Sequence, residues 1–128
     1  AIDNIIEATI ISMEKIGASR KNIIAVIGPT IQKQSYEIKD DVANIVKQTL
    51  SFKRNDSILS QMNNNKYLFD LPLLLKESLK ISQINKIGDI NINTYDSNLF
   101  FSHRYSCHQN SLQVGMTGRH ISVIGILK

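Results

Sequence analysis

The run Ile23-Ile24-Ala25-Val26-Ile27, closed by Gly28-Pro29, is the strongest constraint on how this chain can fold. Five apolar residues without alternation, bounded by a breaker pair, describe a strand buried on both faces. Pro29 has no amide proton to continue a ladder, so the backbone must leave that strand sharply. Upstream, Ile2, Ile5, Ile6, Thr9, Met13 and Ile16 recur at helical spacing. Gly17 is placed to end that helix, and Asp3 and Glu7 suit its positive N-terminal end. A helix leading through a short polar link, 18–22, into an apolar strand implies a sheet covered by helices. The expected class is α/β.

The rest of the chain fits that plan. A second helix is expected over 39–50, with Ile38, Val42, Ile45, Val46 and Leu50 as its apolar stripe and Asp40 and Asp41 at its start. Residues 51–65 are polar with weak periodicity, and Asn63-Asn64-Asn65 reads as a loop. Residues 66–69 form a short strand. Asp70 then caps a helix over 71–79, where Pro72 in the first turn loses nothing by lacking an N–H. Ile84, Ile87, Ile90 and Ile92 indicate another strand, interrupted near Gly88-Asp89. A last strand is expected over 120–127, with Ile121 and Val123 on one face and Ile124 and Ile126 on the other. With no internal repeat and no linker, 128 residues make one domain.

Composition narrows the function classes. Fifteen Lys and Arg against eleven Asp and Glu give a net charge of +4, yet the only adjacent basic pairs are Arg20-Lys21 and Lys53-Arg54. A nucleic-acid footprint would be clustered on one face, so the charge counts against that class. No apolar run approaches the ~20 residues needed to cross a bilayer, and no signal peptide opens the chain. The single Cys107 rules out an internal disulfide and fits a reducing compartment, so a cytoplasmic location is expected.

The stretch densest in chemistry is Asp96-Ser97-Asn98-Leu99-Phe100-Phe101-Ser102-His103-Arg104, completed by Thr117-Gly118-Arg119. Read as a strand, it buries one side and aims the polar groups of the other at a cleft. Arg104 offers a planar fork for phosphate or carboxylate, and His103 can exchange a proton near neutral pH. In a strand the two point to opposite faces, so both line a cleft only if the segment bends or bulges. The plainer alternative is an arginine bracing carbonyls and a histidine filling a half-buried slot. Arg119 reads as a second anion contact or as a cap on the last strand. Cys107-His108, with His103 and His120 nearby, would allow a Cys/His nucleophile pair or a zinc site; neither spacing is specific.

Leu99-Phe100-Phe101-Ser102-His103-Arg104 with the later Thr117-Gly118-Arg119 resembles the C-terminal signature of the bacterial laccase-domain family. That family is also called multicopper polyphenol oxidase or YfiH-like, and its members act as purine nucleoside phosphorylases or deaminases. Ile27-Gly28-Pro29, Tyr36-Glu37 and Phe69-Asp70-Leu71 extend the resemblance along the chain. It departs at Ser35, where the family often has a cysteine before the tyrosine, and at Asn93-Thr94, where it usually has Cys-Thr.

The resemblance implies a layered α/β fold with mixed sheets flanked by helices. It implies purine nucleoside and phosphate as ligands and zinc as the metal, copper in older labelling. The zinc ligands of the family, two histidines and a cysteine, lie in its N-terminal half. The last of them belongs to a His-Ala-Gly-Trp-Arg-Gly motif, and residues 1–10 look like the helix that follows it. Residues 1–128 are therefore expected to be the C-terminal portion, with no cofactor and no catalytic residue of their own and inactive alone. An exposed apolar surface, a homodimer or a partner chain would follow. His103 and Arg104, then Tyr36 and Arg119, are the expected substrate contacts, with Gly28 and Pro29 as a backbone wall. Tyr36 could stack on a purine, or be a core residue with a wet hydroxyl. The alternative class is a non-catalytic binding or interaction module that keeps the fold.

Overall fold

The computed structural model describes residues 4–49, 55–96, 98–109 and 117–127. It confirms an α/β fold. Helix α1 (Ile5–Lys15) ends where Gly17 takes φ 99° and the Ala18 N–H reaches back to the Met13 carbonyl, a left-handed exit that glycine makes without a Cβ penalty. Strand β1 (Ile24–Ile27) follows, then β2 (Glu37–Lys39), α2 (Asp40–Thr49), α3 (Asn55–Ile58), β3 (Leu59–Gln61) and β4 (Lys66–Phe69). Helix α4 (Leu71–Ile81), β5 (Lys86–Asp89) and α5 (His103–Gln109) complete the order. The start of α4 is as expected: the Asp70 carboxylate accepts the Leu73 N–H at 2.9 Å, with Pro72 in the first turn.

The strands form two sheets. β1 and β5 pair in parallel, Ile24 opposite Lys86 and Ile27 opposite Asp89. β2, β4 and β3 form an antiparallel sheet in that order. Two apolar clusters result, one of Ile38, Val46, Ile58, Tyr67, Phe69 and Leu74, the other of Ile10, Ile23, Leu79 and Ile84. Helix α4 gives Leu74 to the first and Leu79 to the second, so one helix joins the two cores.

Several expectations are corrected. β1 is buried on one face only: Ile23 and Ile27 are buried while Ile24 and Val26 are 48% and 43% exposed. The helical layer covers one side of this pair of strands, and Gly88, opposite Val26, puts no side chain over the other. On α2 the buried positions are Ala43 and Val46, with Val42 and Ile45 at the rim, and Ile38 belongs to β2. The polar stretch 51–65 contains α3 and β3, and the β3–β4 hairpin turns through Asn64 and Asn65 at φ 64° and 56°, a conformation asparagine tolerates better than most residues.

The segment around His103 and Arg104 is not a strand. Ser102 Oγ accepts the Tyr105 N–H and caps α5 instead. Residues 120–127 enter no ladder among the described residues, and their apolar side chains face outward. A strand is defined by its partner, and alternation alone cannot supply one. Ile2 and Leu50 of the two helical stripes, Lys53-Arg54, Ser97 and the loop 110–116 lie outside the described residues.

Candidate functional site

The site begins where β1 and β5 fall out of step. Ile27 lies opposite Asp89, yet Thr30 bridges Asn93, so three steps on one strand match four on the other. The extra residue is taken up at Asn91, whose φ is 55°, and the Asp89 carboxylate accepts its N–H at 2.8 Å. Burial pushes the Asp89 carboxyl up, but the Lys76 ammonium at 2.7 Å and the Asn91 N–H outweigh it and hold the group below its ordinary value. Pairing resumes beyond Pro29: Thr30 N–H donates to the Ile92 carbonyl and Thr94 N–H to the Thr30 carbonyl. The bulge re-aims the chain and places buried Thr94 against the cleft.

Asn93 ties these loops together. Its Oδ1 accepts the Gln32 N–H at 3.1 Å and the Tyr95 N–H at 3.2 Å. Its Nδ2 donates to Ser35 Oγ at 2.9 Å and to the Asp96 carboxylate. Ser35 and Asn93 are the two positions at which the resemblance leads one to expect cysteines, and here they are hydrogen-bonded to each other.

An open cleft of about 340 Å³ lies beside this clamp. It is lined by Pro29, Thr30, Ile31 and Tyr36, by Thr94, and by Phe101, Ser102, His103, Arg104 and His120. Four of the six residues singled out from sequence, Pro29, Tyr36, His103 and Arg104, thus meet. His103 and Arg104 do so as the first two residues of α5, where helical rather than strand geometry lets neighbours share a side. Gly28 lies one residue outside, next to a second groove. Arg119 is turned away: its Nη1 donates to the carbonyls of Thr117 and Gly118 and braces its own turn. Sequence reasoning misses Thr30 and Thr94; it places Ser102 only in the expected strand and His120 only in a possible zinc or nucleophile set. Ser102 carries a further signal, an N-cap hydroxyl three residues before Tyr105. The places of Thr94 and His120 carry none, because they depend on the bulge and on the edge-on packing of His120 against Phe100 at 5.6 Å.

The Arg104 guanidinium lies 5.4 Å from the centre of the Tyr36 ring, which packs on Phe69 at 5.3 Å. An arginine over an aromatic face is positioned without losing its charge. Behind it, a hydrogen bond from Lys66 at 2.8 Å, aided by the positive fields of Arg104 and His108, holds the Glu37 carboxyl below its usual range. His108 Nδ1 is 2.8 Å from the Tyr95 hydroxyl, and Cys107 Sγ lies 3.5 Å from His103 Nε2 one turn away on α5. The histidines are thus dispersed. Among the described residues no set of three His, Cys, Asp or Glu side chains converges as a metal centre would require. The described residues therefore do not assemble the zinc site that Cys107, His103, His108 and His120 would allow, and no chemical step is derived through a metal. The cleft instead combines one guanidinium, two imidazoles and four hydroxyls with aromatic surface. That set can bind an anion and a flat ring side by side.

A family model described as multi-copper polyphenol oxidoreductase laccase matches residues 1–127. The chain belongs to this laccase-domain family. Two curated relatives, from Rickettsia conorii and Rickettsia prowazekii, are each named purine nucleoside phosphorylase and are 36% and 35% identical to it. The matches take in 84% and 98% of this chain but 44% and 50% of the relatives. The chain thus spans about half the length of the curated laccase-domain proteins it matches. The crystal structure of the hypothetical protein YfiH of Bacillus licheniformis superimposes with a TM-score of 0.68 at 26% identity, over 78% of this chain and 39% of that one. Among the described residues no helix is long and apolar enough to cross a membrane.

Proposed function

We propose that this chain supplies the substrate-binding wall of a laccase-domain purine nucleoside phosphorylase. The observation that carries this reading is the convergence of Arg104, His103, His120 and the hydroxyls of Thr30, Thr94 and Ser102 on one cleft. The names of the two Rickettsia relatives support the choice of substrate. In phosphorolysis a phosphate oxygen forms a bond to C1′ of the ribose, and the C1′–N9 bond breaks with its electron pair passing to the purine, which takes up a proton. Arg104, held on Tyr36, steadies the phosphate through a charge-assisted fork. His103 and His120 present the imidazole nitrogens of the cleft from which the departing purine would take its proton. The remaining half of the family polypeptide, and any zinc it holds, completes the reaction, so the chain alone binds ligand without turning it over.

Calorimetric titration of the isolated chain with phosphate and with inosine tests this. Binding of both is expected, and Arg104→Ala should weaken phosphate at least tenfold, about 1.4 kcal/mol. Failure of the chain to bind either ligand at millimolar concentration, or indifference to the Arg104 substitution, would sink the proposal.

A further inference from the structure

We infer that the open side of β1, together with residues 121–127, is the docking surface for the complementary half of a laccase-domain polypeptide, which adds a strand to β1. The inference rests on the reading above and adds the surface through which completion occurs. Parallel sheets are ordinarily covered on both faces and contain more than two strands. Here β1 and β5 stand as a pair, and among the described residues no strand joins β1 on its other side. An apolar groove of about 340 Å³ runs along that side, lined by Ile6 of α1, Leu75 and Leu79 of α4, and Ala25 and Ile27 of β1. The two helices therefore already roof the space that a further strand would fill.

The outer face agrees. Ile24, Val26 and, past the bulge, Ile90 and Ile92 are 38–50% exposed. Ser122 lines the groove, where its Oγ would lie 3.2 Å from a Cβ placed on Gly28. Ile121, Val123, Ile126 and Leu127 are each more than 80% exposed. An apolar surface of this extent marks an interaction site. A complementary half is favoured over a second copy because the curated relatives carry about as much chain again outside the match. Pro29 and Thr30 line both this groove and the ligand cleft, so a strand seated there would border the bound ligand.

The test is co-expression of the full chain with the unmatched portion of the Rickettsia prowazekii relative. Light scattering would measure the complex, amide hydrogen exchange would map it, and phosphate-dependent inosine cleavage would be followed in parallel. A one-to-one complex is expected, with exchange slowed at least tenfold at 24–27 and 121–127. The double substitution Val123→Asp/Ile126→Asp should weaken assembly at least tenfold, whereas Ile16→Asp, equally exposed at the end of α1, should not. Assembly that leaves both segments unprotected and tolerates the double substitution would overturn the surface; restored cleavage in that case would leave the functional reading standing. Protected segments without cleavage or nucleoside binding would leave the surface standing and remove the function. A dimer of this chain alone that protects 24–27 and 121–127, or no assembly at all, would also overturn the inference.

Discussion

Asn93 is the residue whose removal should separate the loops of the cleft. Its amide uses both acceptor and both donor positions, joining Gln32, Ser35, Tyr95 and Asp96. Three of these bonds are partly buried, and a net contribution of about 0.5–1.5 kcal/mol each places Asn93→Ala at roughly 2–3 kcal/mol of destabilisation. The exposed contact to Asp96 adds little. For a domain of this size that is a fall in Tm of roughly 6–15 °C. Asn93→Asp separates the terms. It retains acceptors for the Gln32 and Tyr95 N–H groups but loses the donor to Ser35 and faces the Asp96 carboxylate with like charge. At pH 7 it should lie between wild type and the alanine variant. As pH falls toward about 4–5 one carboxyl of the pair takes up a proton, removing the repulsion and restoring a donor, so its deficit relative to wild type should shrink. Thermal melts of the three proteins from pH 4.5 to 8 measure all of this. An alanine variant within 0.5 kcal/mol of wild type, or an aspartate variant as unstable as alanine at every pH, would refute the clamp.

Other perturbations follow from the same geometry. Asp70→Ala removes the cap of α4, the helix shared by the two cores, and should cost about 1 kcal/mol in denaturant unfolding; Asp70→Asn, which keeps an acceptor, should cost less. Ile84→Ala empties a fully buried position in the smaller core and should destabilise by about 2–5 kcal/mol. A Cβ on Gly118 would meet the Phe101 ring at 2.6 Å. Because Phe101 is about half exposed and can swing outward, Gly118→Ala should shift Tm little while changing ligand affinity at the cleft, a split that melts and titrations together reveal. In acid, Glu7 is held below its ordinary value by hydrogen bonds from Arg20 and Ser82, and Glu37 and Asp89 are also lowered. Depressed carboxyls contribute stability that is present above their unfolded pKa of about 4 and is lost as pH falls through the folded values. Tm should therefore hold steady from pH 7 to 5 and drop below about 4; a Tm unchanged down to pH 3 would contradict the ion pairs.

What the amino-acid sequence determined by itself was every feature whose cause lies within a few residues. The apolar run before Gly28-Pro29 specified β1, the 3.6-residue recurrence ending at Gly17 specified α1, and Asp70-Leu71-Pro72 specified the start of α4, because periodicity, caps and breakers act over one or two turns. The same local signals misled around Phe100 and Phe101. A pair of aromatics suits a strand, but the Ser102 hydroxyl satisfies a helix N-terminus, and among the described residues no ladder takes up this segment. Whether Ile24 and Val26 were covered, and whether residues 120–127 had a partner, depended on what packed beside them in space. The cleft belongs wholly to the tertiary level. Tyr36, Thr94, Arg104 and His120 are far apart along the chain, and they meet because a one-residue bulge at Asn91 and the four hydrogen bonds of Asn93 bring three loops to one place. Long-range pairing closes large loops and must be stabilised by contacts made across them, and those contacts exist only once the chain has folded.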